Sequence, residues 1–201
     1  MRLFNTDAEY AAFENILEEV LAVQPMRICA YCLMPTHWHL VLWPKHDGDL
    51  AAFMQRLTVR HAARWQQHRK QVGYGHVYQG RFKSFPVSTD EHFHQVVRYV
   101  ERNALRADLV EKAELWRWSS LWRRQFGTAD QRRWLAAWPL AVPSQWVRLV
   151  NRPETEAMLQ TLRRCVNRGQ PFGTQSWIDK CVKRLGLEST LRPRGRPRAE
   201  S

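Results

Sequence analysis

The chain has 201 residues, enough for one well-packed domain and a smaller appendage, and it carries a formal net charge of +12. Arginine and lysine are spread along the sequence rather than gathered in one block, which favours a polyanionic partner such as nucleic acid. The sequence shows no long apolar run, no signal peptide and no lipidation motif, so we expect a cytoplasmic protein without a membrane partner.

The first third of the chain predicts a helix followed by a hairpin. A capping box at Thr6–Glu9 opens a helical repeat that runs to Ala22. The apolar run Met26–Met34 predicts a buried strand, and His37–Trp43 predicts a second strand after a turn at Pro35 and Thr36. Alternation places His37, His39 and Val41 on one face of that second strand, and Trp38, Leu40 and Leu42 on the other.

Cys29 and Cys32 form a C-x-x-C pair within the first predicted strand. Residues three apart on a strand point to opposite faces, and the remaining cysteines, Cys165 and Cys181, form no second pair. We therefore expect buried structural thiols rather than a zinc site or a disulfide framework, as suits a reducing compartment.

The middle of the chain predicts a basic surface. The pattern of Asp49–Gln71 indicates an amphipathic helix, and His76–Val87 alternates like a strand. Their polar faces carry basic side chains that can neutralise phosphates along a DNA groove, although an ordinary solvated face has the same pattern: Arg56, Arg60, Arg64, Arg81 and Lys83.

The second half predicts further helices. A capping box at Ser88–Glu91 opens a helix that carries Tyr99 and Asn103, and two shorter helices follow at Pro153–Arg168 and Ser176–Leu185. A segment rich in tryptophan and arginine lies between the Tyr99 helix and these two shorter helices. We expect its Trp116, Trp118 and Trp122 to serve core and cation–π packing rather than base stacking.

Four of these residues combine into a candidate catalytic site. His37 and His39 project from one strand face about 7 Å apart, close enough for both imidazoles to bind one ion. Tyr99 and Asn103 share a helix face, where the amide oxygen can complete the ligands of a Mg²⁺ or Mn²⁺ ion and the tyrosine can lie beside a bound phosphate. Taken singly, Tyr99 also suits a core position and Asn103 a helix terminus.

The motifs that hold these residues resemble those of the REP-associated tyrosine transposases, which belong to the HUH transposases. The resemblance rests on Tyr31–Leu40 and Arg98–Ala107, with further blocks at Tyr78–Lys83 and Trp116–Ser120, and it covers 3–122 strongly. It implies that Tyr99 attacks single-stranded, palindromic hairpin DNA to form a 5′-phosphotyrosine. It also implies that His37, His39 and Asn103 hold the ion and that no nucleotide cofactor is needed.

The resemblance also implies an α+β fold of the HUH or ferredoxin-like kind, in which helices flank an antiparallel sheet. Family members usually have a strand before the first helix, and this chain begins almost at that helix, so either the true start lies upstream or the sheet lacks its first strand. We expect a catalytic domain at 1–125, a helical extension at 126–190 and a basic tail at 191–201.

The tail contains an AT-hook-like centre, in which Arg194 and Arg196 would enter a minor groove; a plain disordered basic tail is the alternative. The family resemblance would instead assign this region to gripping the hairpin. The main rival for the whole protein is a domesticated nucleic-acid-binding protein without nuclease activity, and a structural metal protein is a poorer one. The sequence predicts no oligomeric state.

Overall fold

The computed structural model describes residues 1–73 and 75–192, which form an α+β fold with a two-stranded antiparallel sheet flanked by helices. The predicted fold class is confirmed, including a sheet without a full set of strands. The proposed tail residues Arg194 and Arg196 lie outside the described residues. The elements are α1 (Asp7–Val23), β1 (Arg27–Met34), β2 (His37–Trp43), α2 (Asp49–His68), α3 (Glu91–Glu101), α4 (Asn103–Arg106), a 3-10 turn (Ala113–Leu115), α5 (Ser120–Phe126), α6 (Ala129–Arg132), α7 (Trp146–Asn151), α8 (Glu156–Arg168), α9 (Gln175–Leu185) and α10 (Glu188–Leu191).

Contacts group the chain into two compact units. The first comprises 1–82 and 95–153, and the second comprises 83–94 and, within the described part, 154–192. All four candidate catalytic residues belong to the first unit. The predicted domain boundaries at 125/126 and 190/191 stay predictions. Of the helices that the structure describes, none has the length and apolar character needed to cross a bilayer.

The predicted hairpin is confirmed, with Met34 opposite His37 and Cys32 opposite His39. A bulge lies between Ile28 and Ala30 of β1. The predicted strand at 76–87 is wrong, because this segment has only one isolated bridge, from Val87 to Phe172. An extended chain becomes a strand only when a neighbour satisfies its backbone groups, and the described residues offer this segment no such neighbour.

The tryptophan-rich segment covers the outer edge of β1. The Leu33 backbone N–H donates to the Trp118 carbonyl oxygen at 2.9 Å, and the Ala136 N–H donates to the Ile28 oxygen at 2.9 Å. The indole N–H groups of Trp116 and Trp138 donate to other backbone oxygens of this strand, at 2.9 and 2.8 Å. These bonds satisfy a sheet edge that would otherwise be open.

The tryptophans of the same segment also pack against arginine side chains. The Arg117 guanidinium lies 4.7 Å from the Trp118 ring centroid and 4.1 Å from that of Trp122. Trp118 is buried, and Trp116 and Trp122 are half-buried. The predicted packing role of these tryptophans is therefore confirmed.

The core of the first unit lies between α1, α2 and one face of the hairpin. Phe13, Leu17, Leu33 and Phe53 are fully buried there, and the Trp38, Leu40 and Leu42 side of β2 packs against them, as its alternation predicts. The opposite face of β2 carries the two histidines. All four cysteines are buried and form no disulfide within the described residues, so their predicted burial is confirmed.

Candidate active site

The tight turn between the strands places His37 and His39 side by side. Their ring centroids lie 4.9 Å apart, with the rings nearly perpendicular at 87°. His37 is exposed at the start of β2, whereas His39 is half-buried. The Thr36 hydroxyl lies 3.0 Å from His37 Nδ1, which orients that ring and leaves Nε2 as the ring nitrogen not engaged by Thr36.

Both imidazoles are neutral at neutral pH. Burial, together with the neighbouring His37 and Arg106, lowers the pKa of His39 to about 3. Desolvation also lowers the pKa of His37, although its side chain reaches the surface. A neutral imidazole keeps a nitrogen lone pair, which is the form that binds a metal ion.

The end of α3 brings Tyr99 onto this histidine pair. The Tyr99 and His39 ring centroids lie 6.1 Å apart at 83°, an edge-to-face arrangement. Tyr99 is half-buried, so its ring is held while part of it remains accessible. The structure therefore brings together the predicted nucleophile and the predicted ligands from elements that are distant in sequence.

Asn103 lies just beyond Tyr99, although not on one continuous helix as predicted. The helix ends at Glu101, Arg102 forms a turn, and Asn103 is the first residue of α4. The Asn103 side chain is 8% exposed and its Oδ1 accepts a hydrogen bond from Arg106 Nη2 at 2.8 Å. Its Nδ2 has no hydrogen-bond partner within the described residues.

Sequence reasoning missed Arg106, which contacts both Tyr99 and Asn103. Its guanidinium carbon lies 4.2 Å from the Tyr99 ring centroid. Arg106 is three residues after Asn103 and seven after Tyr99, so helical spacing was the signal that could have found it.

Sequence reasoning also missed Glu101, which supports the site through buried hydrogen bonds. It is fully buried and accepts hydrogen bonds from Ser120 Oγ at 2.6 Å and from Trp146 Nε1 at 2.7 Å. Burial raises the pKa of this carboxyl, and the two donors act in the opposite direction. Because Ser120 Oγ also accepts from the Tyr31 backbone N–H on β1 at 3.0 Å, this carboxyl ties the end of α3 to the sheet.

The chemistry of this donor set fits a divalent ion. The two imidazoles lie side by side, and Asn103 Oδ1 keeps a second lone pair beside the one that Arg106 occupies. The nearby guanidinium charge weakens the amide oxygen as a cation ligand, so the imidazoles fit better than the amide.

A second candidate metal group lies in the first turn of α3. Within the described residues, Asp90, Glu91 and His92 are a group whose ligand atoms lie within 4.8 Å of one another. The Asp90 carboxylate already accepts hydrogen bonds from the Ser88 hydroxyl at 2.6 Å and the His92 backbone N–H at 2.9 Å. Asp90 therefore caps the helix, and the predicted capping box at Ser88–Glu91 is wrong because α3 begins at Glu91, directly after Asp90, and the Ser88 hydroxyl donates to the Asp90 carboxylate.

The predicted DNA-binding arginines of α2 are partly neutralised. Arg60 and Arg64 both pair with Glu19 of α1, at 3.1 and 2.7 Å. Arg56 is exposed, and no carboxylate of the described chain lies within ion-pair distance of it. The stripe that these three arginines form on α2 therefore carries less free positive charge than the sequence indicates.

The two predicted DNA-binding residues of 76–87 lie in different units of the protein. Arg81 is exposed, with its guanidinium 5.7 Å from the Phe82 ring centroid. Lys83 belongs to the second unit and donates to Asn167 Oδ1 at 2.9 Å.

The match to a known protein family covers the part of the chain that carries the candidate site. A family model described as "Transposase IS200 like" matches residues 2–103, which include the hairpin, α2, Tyr99 and Asn103. No curated protein and no solved structure matches the chain.

Proposed function

The chain belongs to the IS200-like transposases, and we propose that it cuts and rejoins single-stranded DNA with Tyr99 as its nucleophile. The observation that carries the proposal is the edge-to-face contact of Tyr99 with His39, beside a second, neutral histidine. A purely structural contact of Tyr99 with His39 would not require the second, exposed imidazole of His37 next to His39.

In the proposed reaction the Tyr99 hydroxyl oxygen attacks a backbone phosphorus atom. A bond forms between this oxygen and phosphorus, and the bond from phosphorus to the 3′ oxygen breaks. The tyrosine proton leaves, the 3′ oxygen takes up a proton, and the products are a 5′-phosphotyrosine and a free 3′-hydroxyl. Because the phosphotyrosine keeps the energy of the broken bond, rejoining needs no nucleotide cofactor.

His37, His39 and Asn103 are the residues that would hold a Mg²⁺ or Mn²⁺ ion. When bound, such an ion supplies Lewis-acid polarisation of the phosphate. The chain's own contribution is orientation: Thr36 fixes the His37 ring, and the buried Glu101 holds the last turn of the Tyr99 helix.

The proposed substrate is a palindromic hairpin with single-stranded flanks, as the resemblance to the REP-associated subgroup implies. The net charge of +12 supports a phosphate-rich ligand. On the catalytic unit, Arg56 and Arg81 are the best-placed phosphate contacts because both are exposed and neither lies in an ion pair with a described carboxylate. A DNA contact of Lys83 stays a prediction, as does the role of Arg194 and Arg196 in gripping the hairpin.

The test is formation of a covalent protein–DNA adduct. The purified protein is incubated with a labelled hairpin oligonucleotide and Mg²⁺ or Mn²⁺, and adducts are separated on a denaturing gel. We expect an adduct with the wild-type chain and none with Tyr99→Phe, which keeps the ring but removes the attacking oxygen.

Tyr10→Phe is the matched control, because it removes a tyrosine hydroxyl from the buried core of the same unit. The adduct should persist in this variant and disappear when a chelator removes the ion. Tight hairpin binding by the wild-type chain without any adduct would instead support a DNA-binding protein that has no nuclease activity.

A further inference from the structure

Arg106 makes three contacts that converge on the proposed nucleophile and the proposed amide ligand. Its guanidinium carbon stacks 4.2 Å from the Tyr99 ring centroid, and its Nη2 donates to Asn103 Oδ1 at 2.8 Å. The same nitrogen lies 3.4 Å from the Tyr99 carbonyl oxygen. One planar group thus touches the side chain and backbone of Tyr99 and the side chain of Asn103.

The bond from Arg106 decides which way the Asn103 amide points. Within the described residues Asn103 Nδ2 has no hydrogen-bond partner, so no other bond of this amide selects its orientation. Rotating the amide by half a turn would place its NH₂ group against the guanidinium, donor against donor. The oxygen therefore stays towards Arg106, and the position of the guanidinium sets the position of that oxygen.

Arg106 adds a side-chain link between Tyr99 and Asn103 to the one that the backbone provides. Tyr99 lies in the last turn of α3, which ends at Glu101, and Asn103 begins α4, with the Arg102 turn between the two helices. Small changes at this turn would alter the distance from the tyrosine oxygen to the amide. Arg106 connects the two helices across this turn, because it stacks on the Tyr99 ring and donates a hydrogen bond to the Asn103 amide.

We propose that Arg106 is a positioning residue that clamps the Tyr99 ring and the Asn103 amide in one fixed arrangement. This inference rests on the proposed function, since it names the residue that aligns the nucleophile with the amide ligand. The clamp depends on a flat guanidinium, which stacks on a ring and bonds an amide at the same time. A lysine keeps the charge but lacks the planar fork.

The experiment compares Arg106→Gln and Arg106→Lys with the wild-type chain and with Arg148→Gln, which removes an exposed arginine of α7. Hairpin affinity is measured without divalent ions, and the rate of adduct formation is measured at saturating DNA and Mn²⁺. Side-chain amide spectra of ¹⁵N-labelled, metal-free protein report on Asn103, whose signal is assigned with Asn103→Asp. Circular dichroism checks that each variant is folded.

We expect both Arg106 variants to bind the hairpin within about threefold of wild type and to form adduct roughly 100-fold more slowly, since small misplacement of reacting groups costs about that much. The Asn103 amide signal should shift or broaden in both variants and stay unchanged in Arg148→Gln.

An unchanged Asn103 signal in folded Arg106→Gln would overturn the clamp, as would a shifted signal with a wild-type rate. A wild-type rate in Arg106→Lys would overturn the requirement for a planar group. If the wild-type chain itself forms no adduct, the proposed function fails, and the amide spectra still decide whether Arg106 holds Asn103.

Discussion

His61 shows how a single buried histidine acquires a structural role. It lies on α2 between the rings of Phe4 and Phe13, and its Nδ1 is 2.5 Å from the Tyr78 hydroxyl. That hydroxyl accepts from Trp38 Nε1 at 3.1 Å, which leaves its own proton available to donate to the histidine. Burial lowers the pKa of His61 to about 4, with the Glu9 charge acting in the opposite direction.

This shift predicts acid sensitivity of the fold. Above about pH 6.5 His61 is neutral in both the folded and the unfolded chain, and it contributes its full stabilisation. As the pH falls from there to about 4, the unfolded chain takes up a proton first, so the free energy of unfolding decreases. We expect His61→Asn to lose less stability than wild type between pH 6.5 and 4, measured by urea unfolding.

His76→Asn provides the control, since it removes an exposed histidine instead. Parallel pH dependence in wild type and His61→Asn would show that other groups cause the acid sensitivity.

At the level of elements, a buried ion pair joins a helix, a strand and a second helix. Glu14 of α1 accepts from the Tyr31 hydroxyl of β1 at 2.7 Å and pairs with Arg123 of α5 at 2.6 Å. Arg123 Nε also donates to the Tyr31 hydroxyl at 2.8 Å. Each member satisfies the others, so the cost of burying two charges is offset only while the set is complete.

Removing one member should therefore be costly. We expect Glu14→Gln to lower the free energy of unfolding by roughly 3–5 kcal/mol, because Arg123 would keep a buried charge without a carboxylate partner. Chemical unfolding at pH 7 measures the change. The surface pair of Glu18 and Arg133 gives the comparison. Glu18→Gln should cost less than about 1 kcal/mol, and equal losses in the two variants would contradict this account.

Over the whole molecule, the distribution of charge is set by contacts between helices as well as by composition. Glu19 of α1 holds both Arg60 and Arg64 of α2, so two of the three arginines in the predicted stripe are paired. The net charge favours DNA, but this carboxylate reduces the charge that α2 can offer to phosphates.

Releasing these arginines should strengthen DNA binding if the stripe lies along the DNA path. We expect Glu19→Gln to bind single-stranded DNA more tightly and to steepen the salt dependence, by up to about 1.4 in the slope of log K against log salt for two additional phosphate contacts. Fluorescence anisotropy at several salt concentrations measures both effects. Glu111→Gln removes an equal charge from an exposed position, and a matching change in that variant would show that only net charge matters.

Several features of this protein follow from the sequence by itself. The Thr6–Glu9 capping box, the hairpin, and the two faces of β2 depend on local hydrogen bonding and on side-chain alternation, and both are visible in neighbouring residues. The pairing of His37 with His39 has the same origin, since residues two apart on a strand share a face. The ordered motifs around Tyr99 also predict the transposase family, which the family comparison supports.

The tertiary structure decided the rest, because those features depend on groups far apart in the chain. The alternation of 76–87 predicts a strand, but a strand needs a hydrogen-bonding neighbour that local sequence cannot supply. The pairing of Arg60 and Arg64 with Glu19 requires α1 to lie against α2. The contact between His39 and Tyr99, and the Arg106 clamp beside it, exist only because packing brings the end of α3 and α4 onto the hairpin face that carries the histidines.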